Sequence, residues 1–470
     1  MLHKLFNLNF IYLILIAAEI AAIIFLCFYL PSYVPVTAAA IAVIWLLDIV
    51  AGTLAYCKGA SPEISCSVIL LIIALPIAGA VVYLFSSFRK RKRGTLKITN
   101  AKALSGEENT VKELCGTGGV GYDRAVYLKS GEEYFDLLFK EIEGAKKSVL
   151  LEYFIVHRGE TFNRLLSALK SAKRNGAEIN FIIDGIGSAF KVTKKELKLL
   201  RRSGAKVKVF HRLKPLFYTG LNNRDHRKIA VIDGAVAFTG GFNVGDEYAN
   251  ISSPFGYWKD TGVAIYGEAA KVFEGMFLSL WNRDCTIEIG DGGKHRCIPF
   301  YDSPPTLSGV AENVFMTAIS SAQSRVHIFT PYFCAGEKIN AALSLAAMRG
   351  VDVRIIIPHI PDKKYAFELS RTCASKLNAF GVKFYEYTPG FMHAKSMVCD
   401  DKAFIGTYNF DFRSLRLNCE CGVIFDGEIC EAIERDFSEC MRLSMPFLPK
   451  EPKPFRSVYR FFLKLFAPLF

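Results

Sequence analysis

Hydrophobic and polar positions follow three regimes along this chain. Over the first ninety residues the apolar positions run almost unbroken, in stretches at 9–30, 36–56 and 66–86. Each has about the ~20 residues a helix needs to cross ~30 Å of hydrocarbon, and "PSYVP" and "CKGASPEIS", rich in turn formers, separate them. The pattern predicts about three transmembrane helices within residues 1–93. Glu19 and Asp48 fall inside these stretches. Ionisable groups are costly there and point either to function or to pairing within a helix bundle. No small-residue cleavage site follows the first stretch, so a removed signal peptide is disfavoured. "RKRKR" at residues 89–93 places that end in the cytoplasm by the positive-inside rule.

In the second regime, after a polar linker at 94–120, short apolar runs alternate with amphipathic stretches. "SVLLEYFIV" from Ser148 reads as a buried strand, followed by a helical pattern and by "AEINFIIDGIGS". The same order recurs as "RVHIFTPYF" from Arg325, a helix, and "VDVRIIIPHIPD". "SGAKVKVF" from Ser203 is matched by "FGVKFYEY" from Phe380. Repetition in a fixed order predicts an α/β fold of two duplicated lobes, at 121–300 and 301–450. Strands alternating with helices predict mixed, mainly parallel sheets covered by helices. The third regime, residues 451–470, sets Arg456, Arg460 and Lys464 at fourfold spacing among Phe and Leu. That is the pattern of a basic amphipathic helix lying in a membrane interface, the alternative being a terminal helix packed on its own domain.

Each lobe carries one copy of the spacing HxKxxxxD: "HRKIAVID" at 226–233 and "HAKSMVCD" at 393–400. On a strand, residues two apart project to the same face, so His226 pairs with Lys228 and His393 with Lys395. Asp233 and Asp400 fall at turns and brace the motif. Asn243 and Asn409 return to the same surface after Gly240–Gly241 and Gly406–Thr407, small residues that leave room for a phosphate. One His, one Lys and one Asn per lobe make half of a site for a phosphodiester. The lysines and asparagines hold the non-bridging oxygens, one histidine attacks phosphorus, and the other moves protons at the leaving and incoming oxygens. A histidine with such duties needs a carboxylate to fix its tautomer. Downstream of each, Asp260 in "GYWKDTG" and Glu420 in "RLNCECG" are the candidates. The spacing supplies no second metal ligand and puts lysine beside the site, so neither metal nor cofactor is expected.

Composition then narrows the partner. A net charge of +13 calls for an anionic one, and the membrane stretches select lipid over nucleic acid. Thirteen cysteines without a CxxC pair read as mostly reduced thiols.

With its paired HxKxxxxD motifs, each followed by a Gly-rich turn and an Asn, the chain resembles the phospholipase D superfamily over about residues 120–450. Within it, "LNNRDHRKIAVIDGAVAFTGGFNVGDEY", "YWKDTG", "TPYF" and "YEYTPGFMHAKSMVCDD" resemble the bacterial cardiolipin synthases. The resemblance implies that His226, Lys228, Asp233, His393, Lys395 and Asp400 are catalytic, with His226 favoured as the nucleophile. It implies two phospholipase D-like lobes sharing one active site, and phosphatidyl transfer from one phosphatidylglycerol to another, giving cardiolipin and glycerol. The expected setting is an integral, multi-pass protein of the bacterial cell membrane with cytoplasmic lobes, acting on phosphatidylglycerol and anionic membrane lipids. The alternatives are a membrane-bound phospholipase D releasing phosphatidic acid, and a lipid-binding scaffold, which intact motifs in both lobes disfavour.

Overall fold

The computed structural model describes residues 34–58, 62–74, 79–80, 83, 95–99, 114–115, 117–189, 191–211, 223–282, 284–303, 309–449 and 454–467. The chain divides into two compact units, residues 1–91 with 213–222 and 465–470, and residues 92–212 with 223–464.

The second unit holds two sheets built on one plan. In the first, seven strands lie in the order Arg124–Leu128, Gly262–Tyr266, Val236–Gly240, Ile229–Ile232, Ser148–Tyr153, Glu178–Asp184, Ala205–Phe210. In the second, the central seven of nine are His295–Asp302, Glu420–Phe425, Lys402–Gly406, Ser396–Cys399, Arg325–Phe329, Asp352–Pro358, Lys383–Tyr387. Strand for strand the orders match. Val120–Tyr122 and Ser444–Pro446 extend the two edges of the second sheet.

The sheets are mixed, and mainly antiparallel where mainly parallel sheets were expected. Only the three strands joined by long helical crossovers run parallel. The motif strand and its neighbours are antiparallel. The reason is local: Asp233 and Gly234 both adopt positive φ, 52° and 68°, the conformation of a tight hairpin turn, which joins only antiparallel strands. Asp400, at φ 53°, does the same in the second lobe.

Strand alternation sorts side chains into two cores. Ala230 and Ile232 face a cluster with Phe135, Leu138, Phe162, Leu165 and Leu169 of the helices Gly131–Gly144 and Glu160–Arg174. Ile229 and Val231 face the other way, into a cluster that joins both sheets: Val263 and Ile265 of the first meet Val398, Ile405, Cys421 and Val423 of the second. Helix Ala269–Trp281 fills that space through Phe273, Met276 and Phe277. The two lobes therefore share a core.

In the other unit, helix Val34–Lys58 lays Ala51 against Ile72 of helix Pro62–Ala74, and the Ser65 hydroxyl donates to the Ala55 carbonyl at 3.1 Å. Among the described residues no helix is long and apolar enough to cross a membrane. This corrects the expectation of transmembrane helices, and with it those of an integral membrane protein and a multi-pass location in the bacterial cell membrane with cytoplasmic lobes. Of the stretch read as the third span, residues 66–74 belong to the 13-residue helix Pro62–Ala74, and most of the remainder lies outside the described residues. The stretch read as the second span forms a helix of 25 residues with Asp48 at its middle. That helix turns its small-residue face onto its neighbour. The first span, with Glu19, lies outside the described residues.

The C-terminal helix Pro454–Phe466 forms as the fourfold spacing suggests. Arg456 and Arg460 both bind the carboxylate of Glu368, at 2.6 and 2.5 Å.

Candidate active site

Each motif histidine stands where its own lobe is laced to the other. The His226 N–H donates to the Cys419 carbonyl at 3.0 Å, and the Cys419 N–H to the Arg224 carbonyl at 2.7 Å. On the opposite side, Gly390–Met392 runs parallel to Tyr257–Lys259, and the His393 N–H donates to the Lys259 carbonyl at 2.7 Å. The residue immediately following Cys419 is Glu420, and the one immediately following Lys259 is Asp260. Glu420 takes His226 Nδ1 at 2.9 and 3.0 Å, and Asp260 takes His393 Nδ1 at 2.5 Å. The pairing is crossed between lobes. Along the chain each carboxylate follows the histidine of its own lobe, Asp260 after His226 and Glu420 after His393, and the fold joins the same four residues in the opposite combination.

The lysines lie beneath. Lys228 Nζ donates to the His226 carbonyl at 2.6 Å. Lys395 Nζ donates to the His393 carbonyl and lies 3.0 Å from His393 Nδ1. Both are almost wholly buried. Burial, an energetic penalty on an isolated charge, pushes Lys228 down to about 7 and Lys395 down to about 8. Burial, then the charges of Lys228 and Lys395, hold His226 well below the usual imidazole range. His393 is pushed to about 3 by burial and Lys395, against the pull of Asp260. Each histidine thus senses the lysines of both lobes, which makes the two halves one electrostatic site. Burial raises Glu420 to about 7 in spite of Lys228. Asp260 is also buried, yet Lys395 and His393 keep it below the ordinary carboxylate range.

Asn243 and Asn409 are buried at the same end of the strands. The Asn243 side-chain oxygen accepts the Ile155 N–H at 3.0 Å, and its Nδ2 donates to the Tyr248 hydroxyl at 3.0 Å. Asn409 Nδ2 donates to Asp411 at 3.1 Å. An amide nitrogen carries two N–H groups, so each keeps one beyond these bonds. The glycines serve the protein's own packing: a Cβ on Gly241 would come 1.9 Å from Asp260 Oδ1, and one on Gly406 would come 2.3 Å from the Cys421 carbonyl oxygen.

The motif aspartates stand apart from this centre. Asp233 accepts the backbone N–H groups of Lys146, Lys147 and Ser148 at 2.7 to 3.1 Å. Asp400 does the same for Gln323, Ser324 and Arg325 at 2.8 to 3.0 Å. The four residues of strand Ile229–Ile232 lie between Lys228 and Asp233, five steps that span about 16 Å of extended chain at ~3.3 Å per residue. Each aspartate ties its hairpin to the start of the neighbouring strand, where the chain enters the sheet.

Several supporting residues carried no signal in the sequence. The Thr407 hydroxyl and the Asn418 amide both donate to Glu420, at 2.5 and 3.1 Å. Lys259 forms a buried pair with Asp436 at 2.6 Å, and Tyr127 donates to the same carboxylate at 2.5 Å. Aromatic rings wall both histidines: Phe154 lies 4.8 Å from His226, and Trp258 lies 4.9 Å from His393, between ring centroids. Among the other described histidines, His327 pairs with Glu434 and His359 with Glu386. No cluster suited to a metal ion occurs among the described residues.

Two histidines, each held through Nδ1 by a carboxylate and each beside a buried lysine, stand together at one end of a duplicated mixed sheet, a set suited to holding a phosphoryl-linked group. The family described as "Cardiolipin synthase, PLD-like domain" matches residues 138–281 and 315–441. A cardiolipin synthase of Alkalihalophilus pseudofirmus is 32% identical over 421 residues, 81% of this chain and 83% of that one. One of a Geobacillus species is 36% identical over 340 residues, 68% of this chain and 66% of that one. An uncharacterized protein of Streptococcus mutans is 39% identical over 364 residues, 74% of this chain and 78% of that one. The chain belongs to the cardiolipin synthase family of the phospholipase D superfamily, and is a phosphatidyltransferase of that superfamily. Among solved structures, the phosphatidylserine synthase of Haemophilus influenzae superposes with a TM-score of 0.59 at 14% identity, covering 78% of this chain and 100% of that one, which is a likeness of fold.

Proposed function

We propose that this enzyme joins two phosphatidylglycerol molecules into cardiolipin and releases glycerol. The observation that supports the reading most is the crossed pair of carboxylate-bound histidines around two buried lysines. With Nδ1–H held by Glu420, His226 presents its Nε2 lone pair as a nucleophile. It attacks phosphorus of the first lipid, and the glycerol oxygen leaves with a proton from His393. The phosphatidyl group is then bonded to His226. His393, now neutral, takes the proton of the second lipid's glycerol hydroxyl as that oxygen attacks phosphorus, and the bond to His226 breaks. Lys228, Lys395 and the free N–H groups of Asn243 and Asn409 steady the non-bridging oxygens, where negative charge gathers. A bound phosphodiester also brings negative charge next to two imidazoles that burial holds neutral, and so favours the proton that His393 must carry.

The test is a product analysis in mixed micelles with phosphatidylglycerol as the only phospholipid and no added metal. Cardiolipin and glycerol in equal amounts are expected. Phosphatidic acid with glycerol would mean that water resolves the intermediate, and would replace the transferase reading by hydrolysis. His226→Ala and His393→Ala are each expected to abolish turnover; wild-type rates in either would overturn the scheme.

A further inference from the structure

We propose that Cys334 and Cys373 form a site of reversible oxidation, converted to a disulfide by exchange with a low-molecular-weight disulfide of the glutathione type. The two sulfurs lie 3.5 Å apart and share a hydrogen bond. They are in van der Waals contact, and a bond of ~2.05 Å needs an approach of only about 1.5 Å. The elements that carry them are already fastened together. Phe333–Cys334 is a short strand, Cys373 lies on helix Lys364–Asn378, and the Phe333 N–H donates to the Ser370 hydroxyl at 2.9 Å, less than one helical turn before Cys373. Cys334 is partly exposed and so open to a reagent, whereas Cys373 is shielded.

The surroundings of Cys373 favour its thiolate against the opposing effect of burial, the hydrogen bond with Cys334 first and two lysines after it. Lys464 of the C-terminal helix lies against Lys376 of the helix that carries Cys373, and both cations act on Cys373. Two ammonium groups side by side repel each other; an anion on the neighbouring sulfur offsets that repulsion. Asp411 faces Cys334 and disfavours the thiolate there, and Glu337 opposes the lysines at Cys373. The hydrogen bond with Cys334 leads the causes that hold Cys373 below the ordinary thiol range. Elsewhere the effect is opposite: burial pushes Cys115, Cys399, Cys421 and Cys440 up to about 12. A stabilised thiolate beside a resolving thiol is the arrangement that thiol–disulfide exchange requires.

In the first step one thiolate of the pair attacks a sulfur of the small disulfide. A mixed disulfide forms, and one small thiolate leaves and takes up a proton. In the second step the other cysteine loses its proton and attacks the protein sulfur of the mixed disulfide, expelling the second small thiol. Two protein thiols are oxidised and one small disulfide is reduced to two thiols. The bond would span the 39 positions between the two residues. It would also fix a strand that pairs with Phe410–Asp411, directly after Asn409.

The full-length protein, incubated with oxidised glutathione, alkylated and digested, should yield a peptide joined through Cys334 and Cys373. Dithiothreitol should return both residues to alkylation. Cys334→Ser and Cys373→Ser should each abolish the joined peptide, while retaining wild-type thermal midpoints as a check on folding. Full alkylation of both residues in the oxidised wild-type protein would overturn the proposal. So would glutathione held stably on either one, since a resolving thiol in contact must displace it.

Discussion

Replacing Asp400 by alanine separates two roles that the motif's last residue could have. The carboxylate accepts three backbone N–H groups and the Ser324 hydroxyl, the last at 2.7 Å. At roughly 1 kcal/mol net per bond, Asp400→Ala forfeits about 4 kcal/mol at most. Water reaches this turn, so a loss of about 2–3 kcal/mol is expected after rehydration. For a unit of this size that corresponds to a fall of about 5 °C in the thermal midpoint, at ~2 °C per kcal/mol. The pH dependence gives an independent check. Although burial works against it, the hydrogen bonds from Arg325, Gln323 and Ser324 lower the Asp400 carboxyl from 3.8 to about 2. A depressed carboxylate contributes stability above its unfolded value, and that contribution is lost as pH falls through about 2. The shift is worth about 2 kcal/mol at face value, or roughly 1 kcal/mol once solvent screening is allowed for. In Asp400→Ala this part of the acid dependence should vanish. Asp400→Asn, which keeps one acceptor oxygen, should recover part of the midpoint. Differential scanning fluorimetry between pH 2 and 7 and turnover at 20 °C are the assays. Both folded variants should keep kcat within about tenfold of wild type, because the carboxylate is spent on the backbone of Gln323, Ser324 and Arg325 at the far end of the strand from the motif's lysine. An unchanged midpoint with a loss of kcat by several orders of magnitude would refute the reasoning and put Asp400 at the reaction centre.

Glu420→Gln should lower kcat by roughly 10²–10³-fold, since an amide cannot stabilise the charge that His226 acquires, and nitrogen NMR should show Nδ1 of His226 disturbed while that of His393 is not. Asp260→Asn should do the reverse, and a disturbance at the histidine of the same lobe would refute the crossed pairing. Turnover should decline as pH falls through about 7, where Glu420 takes up a proton, and as it rises through about 7 and then about 8, where Lys228 and then Lys395 lose theirs, so the profile is a narrow bell; in Glu420→Gln the acid limb should disappear, and its survival would assign that limb elsewhere. Gly241→Ala drives a methyl group into the Asp260 carboxylate and should reduce kcat with little change in KM; wild-type kcat would show that this carboxylate can shift freely.

What could be read from the sequence was local. HxKxxxxD fixes His226 and Lys228 on one face and a turn at Asp233 because strand periodicity and hairpin chemistry act over a few residues. The duplicated order of strands was legible for the same reason, and the Asp-Gly turn already implied the antiparallel neighbours that the expectation of a mainly parallel sheet passed over. The partner of each histidine was not legible. Glu420 lies 194 positions from His226, and only the pairing of strands between lobes brings them together. Lys259 and Asp436, 177 positions apart, are hidden for the same reason. The apolar N-terminal stretches misled because hydropathy reports what a segment avoids. A small-residue face such as that of Ala51 and Ala55 can be satisfied by another helix as well as by lipid.

The exchange of carboxylates between lobes makes chemistry conditional on assembly. A lobe folded alone would carry its histidine, lysine and asparagine with no acceptor for Nδ1, so a cleaved, half-translated or wrongly docked chain lacks a poised nucleophile. A phosphatidyltransferase has reason to be inert until complete. The same arrangement suits descent from a symmetric pair of identical subunits, each orienting the imidazole of its twin. Once the two copies were joined in one chain they were free to diverge, and the acidic residue could become aspartate on one side and glutamate on the other.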